Sequence, residues 1–232
     1  MGIISKLKHL IDLKSTGSSK GIISKSVIAQ YLPANPIIIE AGAYIGDDTA
    51  GLSRQFPKGT IHAFEPVPVL YSQLSKRTRP HKNVICHPLA LSNQPGEAVM
   101  YVSQGASNAS SSLLRPKDHL IDHPDVRFTE MIHVQCTTLD DWVAESNIER
   151  VDFLWLDMQG HELNALKSGL KVLEKVVAIY TEVNLKEVYE DAPLYNELRI
   201  WLERQGFEVV LEELPWQDAG NVLFVRRDHK SL

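Results

Sequence analysis

The stretch "PIIIEAGAYIG", residues 36–46, carries most of the information about this chain. Three isoleucines, Ile37 to Ile39, run into Glu40, and Gly42 and Gly46 follow four residues apart. A continuous branched run bounded by proline and glycine is the pattern of a strand buried on both faces. A carboxylate at the end of such a strand needs a partner, because a buried unpaired charge is costly. Asp47 to Phe56 continues as a helix, with Asp47 and Asp48 in the first turn, where acidic groups suit the positive end of the helix dipole.

The same strand and helix pattern repeats outward. Thr60 to Pro66 is expected as the second strand, Val69 to Arg77 as its helix, and Asn83 to Leu91 as the third strand. Val151 to Gly160 reads as the fourth strand and its turn, "GHELNALKSG" as a short helix closed by Gly169, and Val176 to Asn184 as the fifth strand. Leu194, Leu198, Trp201 and Leu202 mark a long helix ended by Gly206. "FEVVLEEL" and "NVLFVRR" then form two last strands, joined by "PWQDAG", a loop short enough for antiparallel pairing. Such alternation is the signature of a doubly wound α/β domain.

One section departs from it. Glu97 to Ser103 and Met131 to Leu139 read as strands, but the sequence between them, "QGASNASSSLLRPKDHLIDHPDVRFTE", is polar, serine-rich and carries two prolines. It is expected to be a substrate lid, an insertion over about residues 103–130 with little structure of its own.

Ahead of the α/β pattern, Ile3, Ile4, Leu7, Leu10 and Ile11 fall at helical spacing among lysines. Ser15 to Gly21 reads as a flexible link, and Ile22 to Tyr31 as a second helix stopped by Pro33 and Pro36. This arm, residues 1–35, is expected to pack on the body or on a sister subunit in a homodimer, with membrane-surface contact as the alternative. "MGIISK" lacks the Ser or Thr at position 6 that myristoylation requires.

At 232 residues and 44% hydrophobic, the chain supports one full core, so residues 36–232 are expected as a single domain. A net charge of -5 argues against nucleic acid as a partner. Cys86 and Cys136 form no CxxC pair, which fits a reducing, cytoplasmic setting. No apolar run is long enough for a transmembrane segment or a secretory signal.

Parallel α/β sheets bind ligands beyond the carboxyl ends of their strands, where Glu40 and Glu65 both fall. A dinucleotide would need a GxGxxG turn cradling its pyrophosphate; here the turn reads E-A-G-A-Y-I-G, and Glu40 would repel phosphate. A cationic, phosphate-free nucleoside reverses the sign. S-adenosylmethionine carries a sulfonium and an ammonium, its ribose hydroxyls need acceptors such as Glu65, and glycine at 42 lets the backbone approach its methionine portion.

Five ordered stretches strengthen this expectation. "IIIEAGAYIGDDT", "IHAFEPVP", "PLALSNQPGEAVMYVS", "TTLDDWV" and "VDFLWLDMQGHELNALKSG" are similar to successive motifs of the FkbM family of S-adenosylmethionine-dependent methyltransferases, and the chain resembles that family over about residues 36–185. The resemblance implies a Rossmann-like class I methyltransferase fold: a seven-stranded, mostly parallel sheet with an antiparallel last strand. It also implies methyl transfer to hydroxyl oxygens of sugars, glycans or natural products. On that basis the cofactor contacts are expected at Glu40, Gly42, Ala43, Gly46, Glu65, Pro66, Leu89, Ala90 and Asp157, with Leu89 and Ala90 beside adenine. Trp155 stands where the family often has lysine, and Gln159 where glutamate is common.

Methyl transfer is an in-line displacement at an activated sulfonium, so alignment and exclusion of water carry most of it. A hydroxyl acceptor must still lose its proton. Asp157 is the first candidate for that base, Glu162 the second, and His161 and Glu182 complete the set. Asp157, Glu182 and Asn184 could instead hold Mg²⁺, but no metal site is assigned. His119 and His123, four apart, lack a third ligand and are read as a polar lid face rather than a zinc site. Ser107, Ser110, Ser111, Ser112 and Arg115 could contact a polyhydroxylated acceptor. The competing functions are a dinucleotide-dependent oxidoreductase and a non-catalytic S-adenosylmethionine-binding module.

Overall fold

The computed structural model describes residues 23–229. The expected helix over residues 3–11 and link over 15–21 lie outside them. The second arm helix is short: α1 (Lys25–Ile28) runs into a single 3₁₀ turn, Ala29–Tyr31. Next come β1 (Ile37–Ala41), α2 (Asp47–Gln55), β2 (Thr60–Phe64), α3 (Pro68–Thr78) and β3 (Val84–His87). The middle of the chain holds β4 (Ala90–Leu91), β5 (Gly96–Gly105), α4 (His119–Asp122), β6 (Val126–Thr137) and α5 (Leu139–Glu145). The remainder is β7 (Phe153–Leu156), α6 (Glu162–Lys167), α7 (Leu170–Leu173), β8 (Ala178–Asn184), α8 (Tyr195–Arg204), β9 (Phe207–Glu213) and β10 (Ala219–Arg226).

The main sheet has seven strands in the order β3-β2-β1-β7-β8-β10-β9. β3, β2, β1, β7 and β8 are parallel, and β10 runs antiparallel to both β8 and β9. This is the expected architecture. Both faces are covered, so each central strand alternates between two apolar layers. Ile39, Leu154, Ile179 and Phe224 pack with Trp142, Leu166, Leu198 and Leu202 from the helices that follow. On the other face, Ile38, Phe153, Trp155 and Tyr180 pack with Ile28 and Tyr31 from the arm and with Leu52 of α2.

Two expectations change. The single third strand over 83–91 is broken: Pro88 cannot donate to a ladder, so β3 ends at His87 in the main sheet. Residues 90–91 join a second, three-stranded sheet of order β4-β6-β5. The stretch expected to lack structure is also more ordered, because β5 and β6 continue pairing well into it, to Gly105 opposite Val126. Alternation explains most of this, since Met100, Val102, Val126 and Val134 are buried while Val99, Arg127, His133 and Gln135 beside them are exposed; Ser103, also buried, falls at a register shift. Within the remainder, Ser112 bridges back to Tyr101, and Ser112 and His119 are buried.

Candidate active site

β1 and β7 are neighbours whose chain connections leave in opposite directions, which opens a crevice beyond their carboxyl ends. The two strands almost touch there. Gly42, at φ +81°, lies so close to the turn after β7 that a Cβ would stand 1.7 Å from the Asp157 carbonyl oxygen. The glycine is therefore needed for contact between two turns, rather than for room beside a ligand as the sequence suggested. Gly46, at φ +88°, caps α2 and faces Leu74 and Thr78 of α3. It does not line the cavity.

Counted with its open mouth, the space of that cavity is about 920 Å³. Glu40, Gly42, Ala43, Glu65, Pro66, Leu89, Ala90, Asp157 and His161 all line it, as do the apolar groups Phe64, Leu70 and Met100. The Glu40 side chain is 1% exposed, its Oε2 has no hydrogen-bond partner, and burial raises its pKa to about 8. Such a group is costly unless a cation answers it. Glu65 is better served: Tyr44 N–H donates to Oε2 (3.0 Å) and Val67 N–H to Oε1 (2.8 Å). Burial still raises its pKa to about 7. Each of its oxygens keeps a lone pair for a ligand hydroxyl.

On the opposite wall, Gln159 is a junction. Its Nε2 donates to Asp157 Oδ1 (2.8 Å) and to Glu182 Oε2 (2.8 Å). The Tyr189 hydroxyl lies 3.1 Å from Gln159 Oε1 and 2.9 Å from the Ser110 carbonyl, one proton serving two acceptors. Ser112 Oγ donates to the Gln159 carbonyl (2.8 Å). These contacts hold Gln159 at φ +54°, a conformation unusual for a residue with a side chain. Burial raises the pKa of both carboxyls; the charge of Asp157 pushes Glu182 further up.

The other candidates are dispersed. Glu162 is buried off the cavity, its Oε1 accepting from Met158 N–H (2.7 Å) and Gly160 N–H (3.3 Å), which fixes the turn after β7. His161 lines the cavity with both nitrogens engaged. Nε2 is 3.0 Å from Ser92 Oγ and Nδ1 is 3.3 Å from the Asn164 amide nitrogen, and burial lowers its pKa to about 4. Asn184 is buried, with its amide nitrogen against Gly160.

Of the serines, Ser111 lines the cavity while Ser110 and Ser112 act through Tyr189 and Gln159. Ser107 caps its own turn, and Arg115 is exposed beside Glu190 (3.8 Å). His119 is not part of a polar surface, because Phe128, His123 and Tyr189 enclose its ring. Among the described residues, no group of three or more His, Cys, Asp or Glu side chains is arranged to hold a metal ion. Tyr44, Asn108, Met158 and Tyr189 were not singled out in the sequence, yet the first three line the cavity and Tyr189 anchors Gln159. Asp47 and Asp48, read as helix-dipole partners, line it as well.

Comparison with known proteins agrees with this geometry. The model of the methyltransferase FkbM domain matches residues 40–209. The chain is 30% identical over 182 residues to 2-O-methyltransferase NoeI of Sinorhizobium fredii, covering 76% of this chain and 74% of that protein. It is 27% identical over 219 residues to methyltransferase sdnD of Sordaria araneosa, covering 84% and 83%. In fold it is similar to Aeropyrum pernix fibrillarin with natively bound S-adenosyl-L-methionine (TM-score 0.50, 13% identity, 86% of this chain and 74% of that one). It is likewise similar to the N-terminal domain of EvdMO1 with S-adenosylhomocysteine and D-fucose (TM-score 0.51, 12% identity, 98% and 97%). With a domain match over most of its length and a sheet of the corresponding order, the chain belongs to the FkbM methyltransferase family and is an S-adenosylmethionine-dependent methyltransferase.

Proposed function

We propose that this enzyme is an O-methyltransferase that transfers the methyl group of S-adenosylmethionine to a hydroxyl of a sugar, glycan or hydroxylated natural product. The observation that carries this is Asp157 on the cavity wall, joined through Gln159 to the Glu182 carboxyl. An alcohol must shed a proton as its oxygen attacks the methyl carbon, and a partly buried carboxylate of raised pKa is suited to take it. The 30% identical relative is a 2-O-methyltransferase, which supports oxygen as the acceptor atom.

In this account Glu40 faces the cationic methionine end of the cofactor, Glu65 takes the ribose hydroxyls, and Leu89 and Ala90 flank adenine. Asp157 accepts the acceptor's proton, with Glu182 and Gln159 holding it in place. Residues 36–232 form the catalytic domain, and the segment around Asn108 to Leu113 covers the acceptor side. Asn108 and Ser111, which line the cavity there, are hydrogen-bonding groups for a polyhydroxylated acceptor. None of the described helices is long and apolar enough to cross a membrane; a cytoplasmic setting with unpaired Cys86 and Cys136 belongs to the same account. A dinucleotide oxidoreductase gains no support, since Glu40 and Glu65 both face a cavity that would have to accept pyrophosphate.

The test is incubation with S-adenosylmethionine carrying a carbon-13 methyl group and a panel of hexoses, deoxyhexoses and polyketide alcohols, followed by NMR. A labelled methyl on oxygen is expected. Label on nitrogen or carbon would overturn the assignment. Binding of S-adenosylhomocysteine without transfer to any acceptor would favour a non-catalytic binding module.

A further inference from the structure

Two residues of the pocket wall are in contact with a side chain from outside the matched domain. Lys25 lies on α1, ahead of the match that begins at residue 40. Its Nζ is 2.5 Å from Asp48 Oδ1 and 4.5 Å from the centre of the Trp155 ring. Asp48, Trp155 and Glu40 all line the cofactor cavity.

A second observation points to the same place. Gly51 sits in the middle of α2, where glycine weakens a helix relative to alanine. A Cβ there would stand 2.8 Å from Lys25 Cε and 3.1 Å from Cδ, so the glycine leaves a slot occupied by the lysine stem. The Trp155 ring also stacks on Tyr180 (3.9 Å between centroids). Cation, ring and carboxylate thus form one packed unit behind Glu40, whose Oε2 has no hydrogen-bond partner.

We propose that Lys25 is a positioning residue of the cofactor site: it holds Asp48 and the Trp155 ring in the pocket wall, and its charge favours ionisation of the Glu40 carboxylate when the cofactor's cationic end lies opposite. This rests on the cofactor placement proposed above. The charged groups acting on Glu40 are Asp48 from α2 and Asp157 from the turn after β7, which oppose its ionisation, and Lys25 from α1, which favours it. Lys25 is therefore the opposing charge in an acidic corner. The helix before β1 becomes part of the binding site rather than a separate arm.

The experiment is calorimetric titration of the full chain with S-adenosylmethionine and S-adenosylhomocysteine across neutral and mildly alkaline pH, for the wild type, Lys25→Met and Gly51→Ala. Lys25→Met is expected to bind S-adenosylmethionine about tenfold more weakly near neutral pH, with its affinity midpoint moved up by about one pH unit and the deficit closing at higher pH. Gly51→Ala should retain or raise the melting temperature, through better helix propensity, yet weaken binding by displacing the lysine. Wild-type affinity and pH midpoint in both variants would overturn the proposal. So would an equal loss at every pH with a lowered melting temperature, the sign of a packing role alone. If the wild type bound neither compound, the cofactor placement itself would fall, and this inference with it.

Discussion

The two walls of the cavity are built differently. The cofactor wall comes from the ends of β1 and β2 and the short turns after them, so Glu40, Gly42, Tyr44 and Glu65 lie within a short span of chain. On the opposite wall Asp157 and Gln159 are tied by hydrogen bonds to three other segments, through Ser110 and Ser112, Glu182, and Tyr189. A wall made of strand ends is rigid because the sheet fixes it. A wall assembled through one glutamine is held by a few hydrogen bonds, each worth about 1 kcal/mol net. This difference suggests a common cofactor mode combined with an adjustable acceptor side.

Substitutions at the contact between the walls should do most damage. Gly42→Ala places a methyl group against the Asp157 carbonyl and strains a positive φ. A loss of about 3 kcal/mol or more is expected from overpacking and strain together, seen as a lower midpoint in urea. A stability within error of wild type would show that the walls are not rigidly joined there.

Next in size is the division of labour. Asp157→Asn should lower methyl transfer by about 10²- to 10⁴-fold while leaving S-adenosylhomocysteine affinity within a few fold, as measured by initial rates and calorimetry. Glu65→Gln should do the reverse, weakening cofactor binding by about 10- to 100-fold, the scale of hydrogen bonds to a charged group, with kcat at saturating cofactor largely kept. If both variants lost binding and turnover equally, the separation of the walls would be wrong.

Titration sharpens the contrast. Glu40, with a folded pKa of about 8, is protonated in the folded protein at pH values where the unfolded chain has released that proton. Its contribution to stability is present in full below the unfolded value and is lost as pH rises through about 8. Between about pH 6.5 and 8 the ligand-free protein should therefore melt at a falling temperature that levels off above about 8, with Glu65 and Glu162, raised to about 7, contributing in the same direction. The buried His62 and His161, with pKa values of about 4, act only at lower pH. Added S-adenosylmethionine favours the ionised carboxylate, so its stabilisation should grow over the same interval. Parallel melting curves with and without cofactor across that range would contradict the assignment of Glu40.

The smallest effect is expected at Ser112→Ala, which removes the hydrogen bond to the Gln159 carbonyl and the one accepted from Leu114 N–H. About 1 kcal/mol of stability should be lost, with a rise in acceptor KM rather than in the cofactor dissociation constant.

The sequence by itself determined the main alternation of strands and helices and the acidic ends of β1 and β2, while the seven-stranded sheet followed from the family resemblance. These depend on apolar periodicity and on turns between neighbouring residues, both local properties. It overran β3 through Pro88, because a continuous apolar run does not say which sheet each half will join. It also underestimated the order of residues 103–130, whose strands are stabilised by distant partners, such as Val126 opposite Gly105 and Val102 opposite Glu130. Only the tertiary structure decided that Gly42 makes room for Asp157, that Gln159 joins two carboxyls, and that Lys25 reaches the pocket wall. Each of those contacts joins residues distant in sequence, and nothing in the local spacing of either partner encodes the meeting.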